Sequence, residues 1–86
     1  MQWKISHYRV ALTEQETFNV SLYATDRHVA DVVFVDPPER RFVLDPETRF
    51  VTIHLAAGER GGFLDILRHE RGVTLDLEGP ALLFER

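Results

Sequence analysis

Phe18-Asn19-Val20-Ser21-Leu22-Tyr23-Ala24-Thr25-Asp26-Arg27-His28-Val29-Ala30-Asp31-Val32-Val33-Phe34-Val35 is the stretch that decides the fold. In its first half Phe18, Val20, Leu22 and Ala24 alternate with Asn19, Ser21, Tyr23 and Thr25. A period of two is the mark of a strand with one face buried. The polar run Thr25–His28 reads as a turn, so the next strand should come back antiparallel. In the second half Ala30, Val32 and Phe34 point one way while Val33 and Val35 point the other. Both faces are apolar, as in a strand covered on both sides or lying in a subunit interface.

Working outward, Tyr8, Val10 and Leu12 alternate with Arg9 and Ala11, and the polar Thr13-Glu14-Gln15-Glu16 ends that strand. Downstream, Asp36-Pro37-Pro38-Glu39-Arg40-Arg41-Phe42-Val43 is echoed by Asp45-Pro46-Glu47-Thr48-Arg49-Phe50-Val51. In each copy Asp can accept backbone donors ahead of it and Pro presets φ, so both read as turns opening a strand. The copies are too short for a repeat architecture. The reading is a meander of 29–36, a short strand 41–44, and 49–55 with Val51, Ile53 and Leu55 inward and Thr52 and His54 outward.

Ala56–Gly62 is a glycine-rich break. Phe63-Leu64-Asp65-Ile66-Leu67-Arg68-His69-Glu70-Arg71 then places Phe63, Ile66 and Leu67 on one side of a short amphipathic helix. Arg68, His69 and Arg71 suit the negative end of its dipole, and Gly72 suits a C-terminal cap. Val73, Leu75 and Leu77 alternate with Thr74, Asp76 and Glu78, Glu78-Gly79-Pro80 turns the chain, and Ala81–Phe84 forms a last apolar strand. The predicted fold is α+β: a mainly antiparallel sheet of about six to seven strands with one short helix late in the chain.

The 86 residues, 44% of them hydrophobic, suffice for one domain over 1–86 and are too few for two cores. Leu, Ile, Val and Phe make up about a third of the chain, which excludes intrinsic disorder. With Cys 0, disulfide scaffolds, Cys-based zinc sites and thiol nucleophiles are excluded. The start of the chain lacks the apolar stretch of a signal peptide, and no run approaches a membrane span. These features lead to the expectation of a cytoplasmic protein with no membrane partner.

Ten basic residues against 14 acidic give a net charge of −4, which disfavours nucleic acid as a partner. Tyr23 and Trp3, with Arg9 and Arg27 beside them, are the one stacking arrangement a single strand could use. Most of the phenylalanines fit core positions instead. The four histidines, His7, His28, His54 and His69, fall on separate elements without metal-ligand spacing, so no metal is expected. Ser6 and His7 are adjacent on an expected strand, where side chains diverge, and Asp31 and Asp36 fall on opposite faces. No catalytic residues and no cofactor are assigned.

Two binding readings remain. In the first, the chain is a non-enzymatic interaction or assembly module, with itself as partner, through Val32, Phe34, Ala81, Leu82, Leu83 and Phe84. Those residues carry the two-faced strand and a sheet edge able to accept a further strand. In the second, Gly58, Arg60, Gly61 and Gly62 form an anion or nucleotide site at the helix N-terminus, with Arg68 or Arg71 near it. The spacing there is neither a dinucleotide fingerprint nor a phosphate loop, which makes a plain connector the stronger competitor.

Overall fold

Residues 18–35 do form an antiparallel pair, and the rest of the molecule is arranged around it. The computed structural model describes residues 1–12, 18–35, 41–70 and 72–85. The strands are β1 (Gln2–Lys4), β2 (His7–Leu12), β3 (Phe18–Ala24), β4 (Arg27–Val35), β5 (Arg41–Leu44) and β6 (Val51–Ala56). A 3-10 turn (Ala57–Glu59) leads into helix α1 (Arg60–His69), followed by β7 (Gly72–Asp76) and β8 (Ala81–Glu85). Among the described residues eight strands, rather than about six to seven, are divided between two sheets. One has the order β2-β3-β4-β6-β5, the other β1-β7-β8.

The meander expected from 29 to 55 does not form. β6 lies parallel beside β4, with Val32 opposite Ile53 and Phe34 opposite Leu55, while β5 pairs antiparallel with β6 at the sheet edge. Burial explains the exchange of places. In β6, Val51, Ile53 and Leu55 are all buried. β5 is four residues long and leaves Arg41 and Val43 exposed, so it takes the edge, where half its backbone groups can meet water. The sequence also does not reveal β1, three residues with only Trp3 apolar, which is held by pairing with β7 from Gln2–Asp76 to Lys4–Thr74.

The inner faces of the two sheets share one core. Val20, Leu22, Ala30, Val32, Val51, Ile53 and Leu75 are wholly buried in it. Helix α1 adds Phe63 and Leu67 to the same cluster. At roughly 1.5–3 kcal/mol for burying a side chain of this size, the cluster is the main source of stability. The smaller sheet does not reach across the whole of the larger one. Val10 and Leu12, on the inner face of β2, stay 42% and 73% exposed.

A register shift between β3 and β4 governs the end of the sheet. Leu22 pairs with Ala30, but Tyr23 pairs with His28, leaving Val29 as the extra residue of a bulge. Val29 and Ala30, consecutive in the chain, are therefore both buried. The bulge also brings the Tyr23 ring beside His28. Thr25, at φ +60, makes the tight turn between the strands, and its N–H donates to Ser6 Oγ at 2.8 Å.

Candidate functional site

A cleft of about 410 Å³ opens where the two sheets diverge. Phe42, Ile53 and Leu55 form its floor, Leu82 and Phe84 one wall, and Phe63 and Ile66 of α1 the other. Phe63 is the hinge of this lining. Its ring meets Phe34 edge-on at 6.0 Å and Phe84 at 6.4 Å, the T-shaped arrangement aromatic pairs favour. Ile66, expected in the core, stands 40% exposed at the mouth. The helix is rotated so that Phe63 and Leu67 fill the core.

Among the described residues, β8 is the outermost strand of its sheet and runs along this cleft, paired only with β7 from Gly72–Glu85 to Asp76–Ala81. Leu82 and Phe84 face inward, half-buried, whereas Leu83 faces outward and is 45% exposed. Of the interface residues expected from sequence, Ala81, Leu82, Leu83 and Phe84 thus share one edge, and Phe34 reaches it through Phe63. Val32 has no exposed surface and so offers nothing to a partner. The chain's own core covers it.

The glycine-rich stretch is not a loop. Gly58 lies in the 3-10 turn, and Gly61 and Gly62 lie inside α1, one turn earlier than the periodicity suggested. Glu59 stands at the helix N-cap, and its carboxylate accepts the Ala56 N–H at 3.3 Å. A carboxylate there already meets the positive end of the dipole and opposes a second anion. A Cβ on Gly58, Gly61 or Gly62 would meet nothing within 4 Å, so no close backbone approach depends on them. Arg60 opens the helix and Arg68 sits in its last turn, about 12 Å further along the axis at 1.5 Å per residue. Gly72 is a β7 residue and not the helix cap, a place taken by Glu70, whose N–H donates to Ile66 O. Arg71, like the first Asp-Pro turn with Asp36 and the polar run 13–17, lies outside the described residues.

At the bulged end of the large sheet, rings separated in sequence form a row. His7 stacks on Tyr23 at 4.7 Å with planes 4° apart, and Tyr23 stacks on His28 at 5.0 Å. His28 meets Phe50 edge-on at 4.9 Å, and its Nε2 lies 2.6 Å from Asp31 Oδ1. Beside this row a smaller cavity of about 170 Å³ is lined by Trp3, Arg27, His28, Thr48, Arg49 and Phe50, with Val29 at its base. The Arg27 guanidinium lies 5.0 Å over the Trp3 ring. The β5–β6 loop that supplies Arg49 follows the expected turn chemistry. Asp45 Oδ1 accepts Glu47 N–H at 2.8 Å and Thr48 N–H at 3.3 Å. Those two donors hold the Asp45 carboxyl below the usual carboxylate range.

Ser6 and His7 do meet, with Ser6 Oγ 3.0 Å from His7 Nδ1. Ser6 lies in the break between β1 and β2, off the pleat, so strand alternation does not separate the two side chains. Glu70 lines the same cavity of about 330 Å³. The hydroxyl is nonetheless a clamp on the β3–β4 turn, accepting Thr25 N–H with the carbonyls of Tyr23 and Thr25 at 3.2 and 3.3 Å. His69 binds the helix end as expected, with Nδ1 2.8 Å from Asp65 O. Among the described residues no three His, Asp or Glu groups converge as metal ligands, and no helix is long and apolar enough to cross a membrane. Set against known proteins, the chain matches no family model, no curated protein sequence and no solved structure.

Proposed function

We propose that the chain is a non-enzymatic assembly module that pairs with a second copy of itself along the free edge of β8. The observation that carries this reading is an exposed apolar residue, Leu83, on a sheet edge that has no partner strand among the described residues and borders an open apolar cleft. An edge strand is normally blunted by charged side chains, Pro or a bulge, and Ala81–Glu85 has no Pro and no bulge, with its one charge at the end, on Glu85. β1 and β2 carry Lys4 and Arg9 at theirs.

The strand is also self-complementary in the antiparallel sense. Centred on Leu83, it sets Leu82 opposite Phe84 of the mate and Ala81 opposite Glu85, so no like charges meet. Two-fold pairing of this kind is the commonest way homodimers close. A stable interface covers about 800 Å² per partner, roughly a seventh of this chain's 5911 Å². Five residues of strand fall short of that. The mate must therefore also cover the mouth of the cleft, at Ile66 and Phe42.

Sedimentation equilibrium of the purified chain over a concentration series tests the proposal. The expected mass is twice the 10.0 kDa of one chain. Leu83→Lys, at an exposed position a monomer tolerates, should return it to one chain without lowering the melting temperature of the dilute protein. A wild-type chain that sediments as a monomer at every concentration would refute it.

A further inference from the structure

We propose that the cavity between β1, the start of β4 and the β5–β6 loop binds a phosphate-type dianion, the head of a phosphate monoester, through Arg27 and Arg49. This assignment does not depend on the dimer. In a chain of net charge −4, the residues lining the cavity include two arginines and no Asp or Glu. Two of the nearby carboxylates already have partners. Asp31 takes His28 Nε2, and the Asp45 carboxylate takes the amides of its own loop. Among the described residues, neither Arg27 nor Arg49 is in an ion pair. The Trp3 ring holds the Arg27 guanidinium, so part of the ordering that binding requires is already in place.

Arg49 carries the argument furthest. Its φ of +66 is the left-handed conformation that glycine adopts freely and a residue with a Cβ adopts at a cost. The loop enforces it through Arg49 N–H to Asp45 O at 2.8 Å and Asp45 N–H to Phe50 O at 2.9 Å. Glycine would close this turn with less strain. An arginine there has no ion-pair partner among the described residues, and it lines the same cavity as Arg27.

Size and charge select the ligand. Pockets for whole drug-sized molecules start near 300 Å³, so about 170 Å³ fits a single oxyanion head. Two arginine forks can bind a tetrahedral dianion by paired hydrogen bonds, which a monovalent carboxylate cannot fully use. The rings of Phe50 and His28 border the cavity and offer an apolar rest for the organic part of the ester. Asp26 and Glu47 stand exposed in the same two turns, so binding should be modest and should weaken with salt.

Isothermal titration of the intact chain with inorganic phosphate, pyrophosphate and adenosine monophosphate, with acetate as the control, tests the site. Saturable binding of a phosphate compound at least tenfold tighter than acetate is expected. Arg27→Gln and Arg49→Gly should each weaken it at least tenfold, and Arg68→Gln should leave it unchanged. Arg49→Gly carries a second readout, because relief of the backbone strain should raise its melting temperature while its binding is lost. The proposal is overturned by absence of saturable binding to all three phosphate compounds. It is equally overturned by acetate binding as tightly as phosphate, or by a folded Arg49→Gly chain that binds as well as the wild type.

Discussion

Leu75→Ala should be among the most damaging single substitutions in this chain, and it tests whether the two sheets share one core. Leu75 is wholly buried on β7, opposite Trp3 on one side and Leu82 on the other. Truncating a leucine at such a site costs about 2.7–5 kcal/mol, the spread reflecting how far the cavity collapses. A domain of this length has a total stability of roughly 4–13 kcal/mol. At about 4–8 °C per kcal/mol, the melting temperature should fall by at least ~10 °C. Leu83→Ala, on the adjacent strand but facing outward at 45% exposure, should cost less than about 1 kcal/mol in a dilute, monomeric sample. Urea unfolding followed by the fluorescence of Trp3, the single tryptophan, reads both, with circular dichroism as a second probe. If Leu75→Ala does not fold, Leu75→Val gives a smaller step, about 0.8 kcal/mol for the lost methylene plus a cavity contribution. Equal losses for the Leu75 and Leu83 variants would refute the sandwich, because they would mean that Leu75 and Leu83 do not lie on opposite faces of their sheet, one toward the core and one away from it.

The remaining predictions concern the loop and the helix. Asp45 has a lowered folded-state pKa, so its contribution is present above the unfolded value and is lost as pH falls through the folded one. The melting-temperature gap between wild type and Asp45→Asn should therefore be largest near neutrality and close in acid below about pH 4; a gap that widens in acid would contradict the assignment. Gly61→Ala and Gly62→Ala should each stabilise the chain by about 0.4–1 kcal/mol, since both glycines are helical and a methyl group meets nothing there. Thermal melts check this, and a loss of stability in either variant would show that the stretch is not helical.

The local elements were largely legible in the residues. The alternations of residues 18–24 and 73–77, the helix carrying Phe63 and Leu67, and the Asp45 turn all depend on contacts a few residues apart, which periodicity and turn chemistry report directly. The glycines at 61 and 62 misled for the opposite reason. Glycine costs about 1 kcal/mol in a helix, a local penalty that the burial of Phe63 and Leu67 outweighs. For the candidate sites, Leu82, Leu83 and Phe84 could be picked out as an apolar edge, whereas the cleft beside them could not. Its floor comes from β5 and β6 and its walls from α1 and β8.

Sequence alone determined the absence of cysteine, the α+β class, the positions of most strands, the late helix and an apolar end strand, because each is written in composition or in neighbouring side chains. Tertiary structure decided the split into two sheets, the parallel β4–β6 pair in place of a meander, and the burial of Val32 by the chain's own core. It also decided that Glu59 occupies the helix N-terminus and that Arg27 and Arg49 reach one cavity. Those outcomes turn on which of several apolar strands secures the buried central position and on side chains from distant segments meeting in space. No spacing along the chain records that competition.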